Sequence, residues 1–268
     1  MLYLLIIFIF AFGLIIGSFL NCLIWRLHQG EGMFPVLLGG RGKNRSYCPK
    51  CKHQIAWFDN IPILSFMMLG GKCRHCRKPI SWQYPIVEFI TGLLFVIAFL
   101  INTPVTHPLP LPGGDLLRDW FLISIMIVVF VYDLRWYLIL DVVVLPACLV
   151  VFVLNLILGF SWHNLLISGI IGGSFFLVQF LISKGKWIGG GDIRLGVLMG
   201  LALGWPKIIA SIFLAYFIGS IIAIGLLIAG KKKWGSKLPL GVFLSVATVV
   251  VLFWGEKIIE WYMDVMLF

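Results

Sequence analysis

Apolar residues run in long blocks along this chain, near 1–24, 86–102, 118–134, 139–159, 164–183, 193–204, 208–229 and 238–255. Most approach the roughly 20 residues that a helix needs to cross a bilayer. A membrane β-barrel would instead show short alternating segments. The pattern therefore predicts an all-α, polytopic membrane protein of about eight transmembrane helices. The blocks at 118–134 and 193–204 are short. The latter reads either as a span completed by Trp205 and its neighbours or as a re-entrant piece.

Composition agrees. Of the 268 residues, 61% are hydrophobic and 12% charged, against the roughly 25% charge of a soluble domain. The net charge of +10 does not point to nucleic acid, because Lys and Arg fall between the apolar blocks, as the positive-inside rule requires. The segment 26–83 carries Arg26, Arg41, Lys43, Arg45, Lys50, Lys52, Lys72, Arg74, Arg77 and Lys78 and is expected to be cytoplasmic. Lys184 and Lys186 mark a second cytoplasmic loop, and Lys231, Lys232, Lys233 and Lys237 a third. The Pro-rich loop 103–117 has no Lys or Arg and reads as external. Eight spans with the N-terminus outside satisfy all of these. The first block, Met1 to Trp25, has no basic start and is longer than a signal-peptide core, so it reads as a retained span. Trp25, Trp82, Trp120, Trp136, Trp205, Trp234 and Trp254 cluster near span ends, as interface anchors do. Lys231 to Lys233 suit a topology signal or acidic lipids, since a basic ligand would be repelled.

Two C-x-x-C pairs, Cys48 with Cys51 and Cys73 with Cys76, have the spacing of one tetrahedral zinc site. A short polar segment has too little core to order itself, so a metal staple makes physical sense. A cytoplasmic location disfavours disulfides. Four protein thiolates leave no open position, so the expected role is structural. Cys22 and Cys148 lie in apolar blocks and read as small packing residues.

The chain has 11 acidic residues, so acids beside apolar spans stand out. Asp133 ends the third span, Asp141 begins the fourth, and Asp192 closes Gly189-Gly190-Gly191-Asp192. Acids in such places are functional by default. Three glycines cannot serve helix stability; they permit unusual dihedrals and close backbone approach. Two carboxylates brought together can share a proton, one acting as base and the other as acid. The alternatives are ion coupling in a transporter or plain salt bridges, Asp133 with Arg135 and Asp192 with Arg194.

Several segments together resemble the bacterial type IV prepilin peptidases, a GxGD family of intramembrane aspartic proteases. They are Gly17-Ser18-Phe19-Leu20-Asn21; Cys48-Pro49-x-Cys51-x-His53; Asp59-Asn60-Ile61-Pro62-Ile63-Leu64-Ser65; Cys73-Arg74-x-Cys76; Tyr84-Pro85-Ile86-Val87-Glu88; Asp133 with Asp141; Gly189-x-Gly191-Asp192; and Lys237-Leu238-Pro239-Leu240-Gly241-Val242-Phe243-Leu244. Leu140 stands where the family usually has Pro, and Arg194 where it often has Lys. The resemblance implies that Asp133 and Asp192 are the catalytic pair, with Asp141, Gly189 and Gly191 supporting. It implies cleavage of a basic leader from prepilins or pseudopilins at the cytoplasmic face of the bacterial inner membrane. The clients would serve pili, type II secretion or DNA uptake. It also implies N-methylation of the new N-terminus with S-adenosylmethionine, for which Asp59, Asn60 and Glu88 are weak candidate contacts. Zinc on Cys48, Cys51, Cys73 and Cys76 fits the same resemblance. The expected layout is a first transmembrane helix at 1–25, a cytoplasmic zinc-loop domain at 26–84 and a transmembrane peptidase domain at 85–268. The competing reading is a membrane transporter or scaffold with a structural zinc loop and ion-coupling aspartates. The expected partners are prepilin-like substrates and lipids, without nucleic acid.

Overall fold

The computed structural model describes residues 2–30, 46–102, 114–233 and 236–266. Arg41, Lys43, Arg45, most of the Pro-rich loop and Trp234 lie outside the described residues. Among the described residues the chain is all-helical, with only the isolated bridges Tyr47 to Gln54 and Lys72 to Pro79 outside helices and turns. The helices are α1 (Leu2–His28), the short α2 (Leu64–Met68), α3 (Gln83–Asn102), α4 (Gly114–Trp136), α5 (Asp141–Ile157), α6 (Trp162–Ser183), α7 (Gly190–Leu203), α8 (Lys207–Ile228) and α9 (Leu240–Met266).

Each apolar block thus has its helix. Five of them, α1, α3, α6, α8 and α9, are long and apolar enough to cross a bilayer. Helix α5 is apolar but has 17 residues. Helix α7 has 14 residues, a rise of about 21 Å, short of a hydrocarbon core of about 30 Å. It ends at Gly204, whose φ of 71° a residue with a β-carbon rarely adopts.

The chain divides into two compact units, Met1–His107 and Pro108–Phe268. In the first, α1 packs on α3 through small residues. A β-carbon on Gly13 would lie 2.6 Å from Gly92 Cα, and one on Gly17 would lie 2.7 Å from Glu88 Cα. Apolar lipid gives helices no hydrophobic reason to associate, so close backbone packing must hold them. Asn21 adds polar links, donating to the Tyr84 carbonyl at 3.2 Å and accepting from Gln83 Nε2 at 3.1 Å.

The second unit is a bundle of α4 to α9. Its tightest pair is α6 with α7. A β-carbon on Gly172 would meet the Gly196 carbonyl oxygen at 2.2 Å, and one on Gly200 would meet that of Ser168 at 2.1 Å. Phe176, Leu195, Leu198, Met199, Ile208 and Leu244 fill the interior. Large apolar side chains such as Phe213, Ile170 and Leu181 point outward, as a lipid-facing surface requires.

Candidate active site and metal centre

In the first unit, the two C-x-x-C pairs sit on two turns of the same construction, 25 positions apart. Cys48 N–H donates to the His53 carbonyl at 2.9 Å, and Cys73 N–H to that of Lys78 at 2.9 Å. Lys52 N–H donates to the Cys48 carbonyl at 2.8 Å, and Arg77 N–H to that of Cys73 at 2.9 Å. Ile55 N–H reaches the Ser46 carbonyl at 2.8 Å, as Ile80 N–H reaches that of Gly71 at 2.8 Å. Lys52 and Arg77 both take positive φ, 60° and 54°. Each turn folds its cysteines inward, and the two turns face each other.

The four sulfur atoms all lie within 4.8 Å of one another, and Cys48 Sγ is 4.0 Å from Cys76 Sγ. Thiolates around a tetrahedral ion with bonds of about 2.3 Å lie about 3.8 Å apart. The cluster therefore has the dimensions of a metal centre. Burial pushes the Cys48 thiol up, but N–H groups of Cys51 and Lys50 outweigh it and bring it down to about 7. The imidazoles of His53 and His75 stack with centroids 4.1 Å apart.

The segment after the first knuckle is held from two sides. Arg74 grips the Asp59 carboxylate with Nε at 3.1 and 2.9 Å and Nη2 at 2.7 Å. Glu88, buried in α3, accepts the Ile63 N–H at 2.8 Å. Ile63 has φ 59° and ψ −51°, a conformation that a β-branched residue occupies only when its surroundings enforce it. Asn60 closes the short 3-10 turn Trp57–Asn60.

In the second unit, three helix ends converge. Asp133 lies in the last turn of α4, Asp192 in the first turn of α7, and Gly241 and Val242 in the first turn of α9. Asp133 and Asp192 are 5% and 7% exposed. They are close enough for the charge of Asp133 to act on Asp192. Asp133 Oδ2 accepts the Val242 N–H at 3.2 Å. Asp192 Oδ2 accepts the Gly189 N–H at 2.8 Å. Both carboxylates thus sit on N–H groups that a helix start leaves without an intrahelical partner.

Ile139, in the turn between α4 and α5, joins these ends. A β-carbon on Gly191 would lie 2.8 Å from Ile139 Cβ, and one on Gly241 would lie 3.1 Å from Ile139 Cδ1 and 2.9 Å from Asp133 Oδ2. The triple glycine works differently from the dihedral expectation. Gly189 has φ −88°, and none of the three takes positive φ. Helix α7 starts at Gly190, so Asp192 is a helical residue and not the end of a loop. Space is what Gly191 supplies; Gly190 has nothing near its missing side chain.

Arg194 pairs with Asp141, not with its sequence neighbour Asp192. This ion pair links the start of α5 to α7. Tyr216 of α8 also feels the charge of Asp192, and its hydroxyl donates to Gln179 Oε1 at 2.8 Å. Sequence reasoning missed Tyr216 and Gln179. The only signal was a pair of polar residues inside apolar blocks.

Comparison with known proteins decides the family. Residues 11–101 match the bacterial Peptidase A24 N-terminal domain, and residues 120–224 match the type IV leader peptidase family. The chain belongs to the type IV leader peptidase family. The N-terminal match contains the four clustered cysteines, and the leader peptidase match contains Asp133, Asp141 and Asp192. The chain is 30% identical to a prepilin leader peptidase/N-methyltransferase of Aeromonas salmonicida, over 97% of this chain and 94% of the relative. It is 31% identical to that of Aeromonas hydrophila, over 95% and 92%. It is 29% identical to that of Pseudomonas aeruginosa, over 94% and 91%. No solved structure shows a significant match. Leader peptidase membership does not favour the transporter or scaffold reading.

Proposed function

We propose that this leader peptidase removes the basic leader of type IV prepilins or pseudopilins with Asp133 and Asp192, and then methylates the new N-terminus. The observation that carries the first half is the convergence of two buried carboxylates from α4 and α7 around Ile139. Two interacting carboxylates share one proton and divide the roles of acid and base. The ionised one takes a proton from water as the water oxygen attacks the scissile carbonyl carbon. The protonated one gives its proton to the carbonyl oxygen. Collapse of the tetrahedral intermediate breaks the C–N bond, and the departing amine takes up a proton. Gly191 and Gly241 let Ile139 and the Asp133 carboxylate approach the starts of α7 and α9 closely, which draws the two carboxylates toward one another. Asp141 supports the pair by holding Arg194 of α7.

Cys48, Cys51, Cys73 and Cys76 would hold zinc. Bound there, the ion supplies a closed structural cross-link between two turns and no open coordination position. Methyl transfer would draw on S-adenosylmethionine, the methyl donor implied by the pairing of activities in the relatives' names. Asp59 and Glu88 do not fit as its free contacts in this conformation, because Arg74 and the Ile63 N–H already engage them. They shape the segment Asp59–Ser65. The layout of a first helix at 1–25, a zinc loop at 26–84 and a peptidase domain at 85–268 goes with this division of labour.

The expected location is the bacterial inner membrane with the carboxylates at the cytoplasmic side. Lys184 and Lys186 stand between α6 and the first turn of α7, which is where the positive-inside rule supports cytoplasm. Acidic lipids are the expected partners of Lys231 to Lys233.

Co-expression with a prepilin tests the proposal. Asp133→Asn and Asp192→Asn should each insert normally and leave the precursor uncut, a loss of at least about 100-fold. Normal processing by either variant removes the pair mechanism. Mass spectrometry of the product of the unaltered enzyme should show the new N-terminus methylated.

A further inference from the structure

Arg118, Asp119 and Asn155 form a polar cluster that the cleavage chemistry does not use. They are 8%, 3% and 0% exposed. Charged groups at such depth are costly, and in membrane proteins they mark function. Arg118 donates to Asp119 Oδ1 from Nε at 2.9 Å and from Nη2 at 2.7 Å. Its Nη1 donates to Asn155 Oδ1 at 3.2 Å and lies 3.5 Å from Asp115 Oδ1. Its guanidinium rests over the Phe160 ring at 5.4 Å. Asn155 Nδ2 in turn donates to the Leu201 carbonyl at 2.8 Å and reaches that of Ala202 at 3.5 Å.

The position of this chain of bonds gives it meaning. Arg118 and Asp119 begin the helix that ends in Asp133, about 22 Å away along α4. Leu201 ends the helix that begins with Asp192, about 14 Å away along α7. Because α7 stops short, its last carbonyls fall inside the bundle, where only protein groups satisfy them. Asn155 of α5 does so, and Asn164 of α6 secures the following turn by accepting the Trp205 N–H at 2.8 Å. The two helices that bring their carboxylates together at one end are therefore tied through Asn155 at the other.

We propose that Asp119, Arg118 and Asn155 are positioning residues that set the axial register of α4 against α7 and so the spacing of Asp133 and Asp192. Where α6 and α7 cross, Leu201, Val197 and Phe176 sit over Gly169, Gly173 and Gly196, which locks α7 against α6 and does not lock it against α4. A directional hydrogen-bond chain supplies the lock to α4. This inference rests on the reading that the two aspartates perform the cleavage. A displacement of about 1 Å costs up to about 100-fold in rate.

The test uses the full-length enzyme, purified, with a purified prepilin. Asn155→Leu keeps the branched shape of the side chain and removes its bonds to Arg118 and to the α7 carbonyls. Asn155→Asp keeps an acceptor for Arg118 but cannot donate to Leu201. Both should lower kcat about 10- to 100-fold at unchanged KM, with unchanged metal content. Arg118→Lys, which keeps the charge beside Asp119, should recover more activity than Arg118→Met. Spin labels at Leu134 and Trp187, in a Cys22→Ala, Cys148→Ala background, give a readout independent of catalysis. Their distance distribution should shift or broaden in Asn155→Leu. An unshifted distribution with normal kcat overturns the proposal, as does a change confined to KM. If Asn155→Leu does not fold, Arg118→Lys against Arg118→Met decides by the same two readouts. Asp133→Asn in parallel separates the ideas: activity there ends the aspartate mechanism, while the label distances still judge the register.

Discussion

Gly241 lies so close to Asp133 that a β-carbon built on it would be 2.9 Å from Oδ2. The same turn offers the Val242 N–H to that oxygen at 3.2 Å. Gly241→Ala must therefore push the carboxylate off its donor. A hydrogen bond to a charged group contributes about 1.5–3 kcal/mol, equivalent to about 10- to 100-fold in rate. Cleavage by Gly241→Ala should fall by that factor, while its thermal unfolding changes little. Full activity would show that the close approach has no role at the site.

Asp141 and Arg194 connect α5 to α7, but both side chains are about half exposed, at 48% and 44%. Such pairs contribute about 0.2–1 kcal/mol. Asp141→Asn should therefore lower cleavage no more than about fivefold. The exchange Asp141→Arg with Arg194→Asp should restore most of it, and high salt should reduce the difference. A loss as complete as that of Asp133→Asn would give Asp141 a direct part in the reaction.

The four-sulfur cluster predicts about one metal ion per chain in the purified protein. Cys48→Ser or Cys73→Ser should abolish its binding and open the segment between the knuckles to limited proteolysis. Chelation should do the same, because the two turns have little apolar core between them. Metal-free protein with an intact, protease-resistant segment would contradict the staple.

The Asp59 pair gives a pH dependence. Hydrogen bonds from Arg74, and then its charge, hold the Asp59 carboxyl below its ordinary range. A lowered folded-state value means that ionised Asp59 favours the folded segment. The contribution is complete above the ordinary carboxylate range and is lost as pH falls through it and below. Amide exchange of residues 57–68, expressed relative to the intrinsic rate at each pH, should accelerate on acidification in the unaltered protein. In Asp59→Asn it should be fast already and less sensitive to pH over that range.

How much of this was legible beforehand differs from residue to residue. The cysteine turns were readable because C-x-x-C spacing is a local property, and Cys48 does meet Cys76. The acids were noticed because a carboxylate beside an apolar block is rare. Their neighbours were not. Arg194 stands two positions from Asp192, yet it crosses to Asp141. The glycines before Asp192 suggested unusual dihedrals, whereas the structure uses Gly191 for its lack of volume against Ile139. Asn155 passed as one more residue in an apolar block and is the fully buried hub of a bonded chain.

By itself, the sequence determined the membrane class, the helices and the metal-binding turns. Helix bonds join residues four apart, bilayer length sets the apolar blocks, and knuckles close within ten residues or so. Tertiary packing decided which groups come together: Asp133 and the start of α7 around Ile139, Asp141 with Arg194, Asn155 with the end of α7. Those meetings depend on how close two backbones approach, and that is set by the small residues at each crossing, which no local pattern specifies.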